Sequence, residues 1–194
     1  LEDVERVARQ GAVARLAETA RHQVEASRAA VVHVAQSGRP EYGVTTGVGS
    51  LSDRLIAPEQ TRALQLNVLR SHAAGAGEPL ATEVVRAALL LRANALASGY
   101  SGVRPVVIET LLALLNARIH PVVPSQGSLG ASGDLAPLAH LALPLVGLGR
   151  VEMDGTIVEA GEALEARRIP PLQLEPKEAV ALINGTQIMA ALAT

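Results

Sequence analysis

One stretch near the middle of the 194-residue chain decides the fold: Gly127-Ser128-Leu129-Gly130-Ala131-Ser132-Gly133-Asp134-Leu135-Ala136-Pro137-Leu138-Ala139-His140. It begins as a glycine-rich loop and continues into a helix that is apolar nearly all round, which predicts a buried helix. Ser132 or Asp134 can cap this helix, and Pro137 then falls in the first turn, where proline is tolerated. Local features alone favour a capped helix start over a phosphate-binding loop, because no Gly-Lys-Ser/Thr follows.

Outward from this stretch, apolar residues recur three and four positions apart, which predicts a mainly α fold. Helices are predicted over residues 3–36 (one or two helices), 59–70 after Pro58, 81–98, 105–117, 134–147 and from Pro176 onward with a break at Asn184-Gly185. Gly99 fits a helix C-cap. Long loops are predicted over Ser37–Asp53 and His120–Gly130. Residues 151–158 carry Asp154-Gly155 between alternating apolar positions, which predicts one short β-hairpin.

Composition excludes several functional classes. The chain has 17 Lys and Arg against 19 Asp and Glu, so no basic surface for nucleic acid or an anionic membrane is expected. It has no Phe, no Trp and no Cys, which predicts an aliphatic core without disulfides or thiolate chemistry. His22, His33 and His120 lack metal-ligand spacing, so no metal is expected. No long apolar run or signal peptide is present, and the expectation is a cytoplasmic protein.

The stretch 127–140 resembles the signature of the aromatic amino acid ammonia-lyase family, in which an Ala-Ser-Gly tripeptide cyclises by itself into methylidene-imidazolone. Further segments resemble the family in the same order and at matching spacing: Tyr42–Gly49, Ser71–Gly75, Ser98–Arg104 and Leu182–Gln187. The resemblance covers about residues 40–194. It implies the helical fold of that family and an electrophile made from Ala131, Ser132 and Gly133.

The implied cyclisation explains the three residue types. The amide nitrogen of Gly133 would attack the carbonyl of Ala131, and only glycine allows the backbone to bend that tightly. Loss of water from Ser132 would then leave an electrophilic methylene carbon. Strain in the loop is the expected driver, since a helix dipole contributes only about 0.3–1 kcal/mol. Asp134 either assists ring formation or simply caps the helix.

Four further residues receive roles by resemblance. Tyr42 is implied as a catalytic acid or base; the alternative is an ordinary half-buried loop tyrosine. The pair Ser71-His72 resembles the histidine-specific branch, since an imidazole can hydrogen-bond a substrate imidazole. The alternative for His72 is a contact with the last carbonyls of its helix. Asn184 is implied to bind the ring or the substrate; the alternative is an N-cap.

Other positions are expected to be structural or depart from the family. Tyr100 and Arg104 match the family and are expected to pack and pair, and His140 is expected to be a satisfied core histidine. The family's loop usually reads Tyr-Gly-x-Asn-Thr-Gly-Phe-Gly, whereas this chain has Thr45 in place of Asn and Val48 in place of Phe. These changes put the packing of the loop and the turnover in question.

The resemblance implies non-oxidative elimination of ammonia from L-histidine to give trans-urocanate, by a homotetramer. The alternatives are a lyase or 2,3-aminomutase acting on phenylalanine or tyrosine, and a non-catalytic assembly fragment. The chain starts at Leu1, and its last residues, Met189–Thr194, stop in mid-pattern without a helix-closing residue, so residues 1–194 are expected to be a single N-terminal domain of a longer subunit. Its C-terminal helical half would supply the remaining catalytic groups.

Overall fold

The computed structural model describes residues 1–49, 52, 54–57 and 60–194, and the fold is mainly α, as predicted. The helices are α1 Glu2–Ala8, α2 Glu18–Gln36, α3 Thr61–His72, α4 Thr82–Ala97, α5 Pro105–Asn116, α6 Leu135–Ala142, α7 Ala160–Ala166, α8 Glu178–Ile183 and α9 Gln187–Leu192. The strands are β1 Ala76–Pro79, β2 His120–Pro121, β3 Pro124–Gln126, β4 Arg150–Met153 and β5 Thr156–Glu159. Among these described helices, none is both long and apolar enough to cross a bilayer.

The core is aliphatic, and α4 lies at its centre in contact with α1, α2, α5 and α9. α4 and α5 are in contact, and Leu89 and Leu96 of α4 belong to the same hydrophobic cluster as Ile108 and Leu111 of α5, with all four side chains fully buried. The two leucines of α4 are seven residues apart and the two residues of α5 are three apart, so each pair lies on one face of its helix. The core therefore has the composition that a chain without Phe or Trp requires.

The predicted hairpin is confirmed as β4 and β5, which pair antiparallel. Asp154 and Gly155 both have positive φ, 52° and 79°, the backbone that a tight two-residue hairpin turn needs. β2 adds a third strand beside β4, with His120 opposite Glu152. The strand β2 therefore occupies the start of the segment His120–Gly130, which was predicted to be a loop.

Several other element predictions were wrong or displaced. The Gly75–Pro79 segment, predicted only as a break between helices, contains β1, which pairs antiparallel with β3 in a second small sheet. The helix predicted over residues 134–147 ends at Ala142 and continues as a 3₁₀ turn over Leu143–Val146, where Pro144 lacks the donor for an α-helical bond.

Two boundaries near the C-terminal end also differ from prediction. α7 has no predicted counterpart. The last helical region begins at Glu178 and not at Pro176, because Lys177 has a left-handed φ of 76°. The predicted helix start at Pro58 lies outside the described residues.

The short helix α6 organises the region around the decisive stretch. It follows the loop of residues 127–134 directly, and it contacts α3, α8, α9 and β3. Its Leu138, Ala139 and Leu141 are buried, which anchors the helix in the core. The loop, the C-terminal end of α3 and the α8–α9 junction are thereby brought to one region.

Candidate active site

Ser132 lies at the centre of the predicted tripeptide, and its hydroxyl is buried without a hydrogen-bond partner among the described residues. An unsatisfied buried hydroxyl costs about 1–3 kcal/mol. The neighbouring Gly133 has a φ of 82°, a conformation that side-chain-bearing residues rarely adopt. The loop closes on itself through the Leu129 N–H, which donates to the Gly133 carbonyl at 3.1 Å. The tripeptide thus forms a tight loop, and the described residues offer its serine hydroxyl no compensating hydrogen bond.

Asp134 caps a different helix from the one that it precedes. Its carboxylate is 1% exposed and accepts hydrogen bonds from the backbone N–H groups of Ile188 at 2.8 Å and Met189 at 3.1 Å. These are free donors in the first turn of α9, and a carboxylate there also complements the helix dipole. No side-chain cap bond is made at the start of α6, so plain capping of its own helix was the wrong interpretation. Asp134 instead ties the tripeptide to the α8–α9 junction.

Asn184 ends α8 and does not begin α9. It is the C-cap residue of α8, its side chain is exposed, and Thr186 occupies the N-cap position of α9. The N-cap alternative for Asn184 is therefore wrong. Its exposed amide lies on the junction that Asp134 holds.

Arg92 is a site residue that the sequence analysis missed. Its guanidinium is 4% exposed and donates to the carbonyls of Ala181 and Asn184 and, at 2.7 Å, to Oε1 of Gln187. Burial lowers its pKa to about 10. Its position on the buried face of α4, between Leu89 and Leu96, is the sequence signal that could have identified a buried cation.

The α8–α9 junction is therefore held by two buried charges of opposite sign. Arg92 bonds to carbonyls at the C-terminal end of α8, and Asp134 accepts from the N–H groups at the start of α9. Each charge has the sign that the adjacent helix terminus favours. This arrangement holds the backbone on both sides of Asn184.

His72 contacts a carbonyl in the last turn of its own helix, which is the structural alternative that the sequence left open for it. Its Nδ1 lies 2.8 Å from the carbonyl oxygen of Val68, and the hydroxyl of Ser71 lies 3.1 Å from the same oxygen. A carbonyl can only accept, so Nδ1 carries the proton and Nε2 of the neutral ring is an acceptor. The contact with α3 fixes the tautomer, and a role in binding substrate stays a prediction.

Tyr42 lies on an exposed loop, with 59% of its surface accessible. Its hydroxyl accepts a hydrogen bond from the Gly49 N–H at 3.3 Å. Thr45, where the family usually has Asn, donates to the Arg39 carbonyl at 2.6 Å and accepts from the Glu41 N–H at 2.8 Å, so it still anchors this loop. No described polar contact joins Tyr42 to residues 131–133, and its catalytic role stays a prediction.

The structural roles expected for the remaining family positions are mostly confirmed. Arg104 forms an ion pair with the fully buried Glu178, with Nε 2.8 Å from Oε1, and this hydrogen bond raises the pKa of Arg104. His140 is satisfied, since its Nε2 accepts from the Gly75 N–H at 3.0 Å. Tyr100 is 89% exposed, so the expectation that it packs within this chain was wrong.

Comparison with known proteins identifies the family of this chain. The family model described as aromatic amino acid lyase matches residues 1–194. The chain is 63% identical over 169 residues to the histidine ammonia-lyase of Geobacillus thermodenitrificans, covering 87% of this chain and 34% of that protein. It is 54% identical to the histidine ammonia-lyase of Symbiobacterium thermophilum over 99% of this chain and 38% of that protein. The chain belongs to the aromatic amino acid lyase family, and it spans little more than a third of the length of these relatives.

Solved structures show the same fold in enzymes of differing specificity. The histidine ammonia-lyase of Trypanosoma cruzi superposes with a TM-score of 0.87 at 36% identity, over 97% of this chain and 36% of that one. The tyrosine aminomutase of Streptomyces globisporus superposes with a TM-score of 0.91 at 41% identity, over 98% of this chain and 36% of that one. The fold alone therefore does not choose the substrate.

Proposed function

We propose that this chain is the electrophile-bearing, N-terminal part of an L-histidine ammonia-lyase subunit. The reaction would eliminate ammonia from L-histidine without oxidation and give trans-urocanate. The high identity to relatives named histidine ammonia-lyase supports this substrate, and so does the pair Ser71-His72 at the end of α3. The complete subunit would act as a cytoplasmic homotetramer, with further catalytic groups supplied outside this chain.

The buried hydroxyl of Ser132, which has no hydrogen-bond partner among the described residues, carries the proposal. It is the group that dehydration of an Ala-Ser-Gly tripeptide removes, so ring formation would relieve the cost of burying it. The positive φ of Gly133 and the absence of a Cβ there suit a residue whose nitrogen must approach the Ala131 carbonyl. The residues present therefore fit methylidene-imidazolone, which supplies an electrophilic carbon that no standard side chain provides.

The other site residues would bind and orient the substrate. In the neutral tautomer that the contact with Val68 selects, Nε2 of His72 can accept a hydrogen bond from the N–H of a substrate imidazole. A phenyl ring offers no such donor, so this contact favours histidine over phenylalanine. Asn184 presents its exposed amide from the junction that Arg92 and Asp134 hold. Tyr42 would act as the acid or base from its exposed position on the loop.

The intact mass of the purified chain tests the proposal. Ring formation removes two waters, so the chain should be about 36 Da lighter than its encoded sequence. The variant Ser132→Ala has no hydroxyl to lose and should not form the methylidene group. A wild-type mass equal to the unmodified sequence would contradict the proposed electrophile in this chain.

A substrate panel on the complete subunit tests the specificity. We expect ammonia and urocanate from L-histidine and little product from L-phenylalanine or L-tyrosine. A β-amino acid product would instead identify a 2,3-aminomutase, the activity named for some of the matched structures. The mass and the panel therefore separate loss of the electrophile from a change of substrate.

A further inference from the structure

Three segments meet at Gly75, three residues after His72. The backbone N–H of Gly75 donates to Nε2 of His140 at 3.0 Å. His140 lies on α6, the helix that begins directly after Asp134. A single side-chain hydrogen bond thus joins the segment after α3 to the helix that follows the tripeptide.

The backbone around Gly75 is tightly packed, so that a side chain there would require its neighbours to shift. A Cβ at Gly75 would lie 3.1 Å from Nε2 of His140 and 3.2 Å from the carbonyl oxygen of Gln126. A Cβ at Gly127 would lie 3.1 Å from the Cα of Gly75 and 3.3 Å from the Cβ of Ala136. We call Gly75, Gln126, Gly127, Ala136 and His140 the Gly75 junction.

The junction requires His140 to be an acceptor. A backbone N–H can only donate, so Nε2 of His140 is unprotonated and the neutral ring carries its proton on Nδ1. Burial lowers the pKa of His140, which favours this neutral form. Nε2 of His140 therefore acts as a fixed acceptor for the Gly75 N–H.

We propose that His140 is a positioning residue that sets the place of His72 relative to residues 131–133. The inference rests on the proposed function, because it assigns His140 to substrate binding at that site. α3 and α6 are in contact. At the Gly75 junction, the hydrogen bond to His140 connects the segment that follows α3 to the helix that follows the tripeptide loop. Without the acceptor, the Gly75 segment loses its bond to α6, and the imidazole of His72 is less well placed for a ligand.

Three variants of the complete subunit separate the hydrogen bond from simple packing. His140→Gln keeps an acceptor oxygen at about the reach of Nε2, whereas His140→Leu keeps the bulk without an acceptor. His140→Asn is polar but too short, and it serves if the leucine variant does not fold. We expect all soluble variants to keep the mass deficit of about 36 Da, because the bond does not touch the tripeptide.

The KM for L-histidine and the amide exchange of Gly75 are the deciding measurements. Loss of one hydrogen bond should raise KM about 5- to 10-fold in His140→Leu and His140→Asn, with kcat changed less than about twofold. Exchange at the Gly75 amide should accelerate by a similar factor, and His140→Gln should stay near wild type in both measurements.

Three results would overturn the inference: an unchanged KM in the leucine and asparagine variants, unchanged exchange at Gly75, or no rescue by glutamine. A wild-type subunit without the mass deficit and without urocanate production would refute the proposed function instead. In that case the exchange measurement would still report whether His140 holds Gly75. The two failures are therefore distinguishable.

Discussion

Replacing Asp134 by alanine should destabilise the fold more than its single carboxylate suggests, because that group caps α9 from a distant segment. The carboxylate is 1% exposed and accepts from two backbone N–H groups, at 2.8 and 3.1 Å. Hydrogen bonds to charged groups contribute about 1.5–3 kcal/mol each, and loss of a helix cap typically costs about 1 kcal/mol. These values describe overlapping contributions and are not added in full. The expected loss is therefore about 2–4 kcal/mol.

For a chain of this size, that loss corresponds to a decrease in Tm of about 5–15 °C. Urea unfolding followed by circular dichroism would measure the free energy of unfolding for Asp134→Ala, Asp134→Asn and Asp3→Ala. Asp3 is the matched control, since its side chain is 92% exposed and pairs with Arg6 at 3.3 Å, an interaction worth at most about 0.5 kcal/mol. The asparagine variant keeps an acceptor without the charge and should be intermediate. Equal stabilities for Asp134→Ala and Asp3→Ala would refute the capping role.

Two further predictions concern stability. Gly102→Ala should cost about 2–4 kcal/mol in urea unfolding, because Gly102 has a φ of 68° and a Cβ there would overlap Cγ2 of Val31. The double variant with Val31→Ala should recover part of that loss, and no recovery would show that the overlap is not the cause. Stability should also fall as pH decreases below about 6.5, because burial lowers the pKa values of His120 and His140 and the unfolded chain then binds more protons than the folded one. Arg86 adds to the lowered pKa of His120, and urea midpoints that stay equal at pH 7.5 and 5.5 would contradict this prediction.

Local sequence determined most of the helices and the hairpin. The predicted boundaries of the helices over residues 81–98 and 105–117 lie within one residue of α4 and α5. Gly99 follows α4 with a φ of 79°, as a helix-ending glycine should. The hairpin was equally clear, since Asp154-Gly155 between alternating apolar positions predicts a tight turn, and both residues have the positive φ that such a turn needs. In each case the residues that carry the sequence pattern are the ones that form the element, or lie within a few positions of it.

The sequence also determined the family, and with it the tripeptide and the candidate site residues. It could not decide among the roles that were left open for Asp134, His72 and Asn184. For Asp134 the choice depended on α9, whose N–H groups are 54 and 55 residues away in the chain. The pattern around Asp134 looked the same whichever helix the carboxylate capped.

Only the tertiary structure decided which distant groups meet. β1 pairs with β3 across almost 50 residues, Arg92 reaches the carbonyls of α8, and His140 accepts from Gly75. None of these contacts has a periodic signal, because each depends on how α4 and α6 are oriented in the core. Most buried polar groups are nevertheless paired, so the packing of the apolar faces selects the partners. The sequence alone predicted most of the helices and the family, whereas the three-dimensional packing determined which distant groups pair with Arg92, Asp134 and His140.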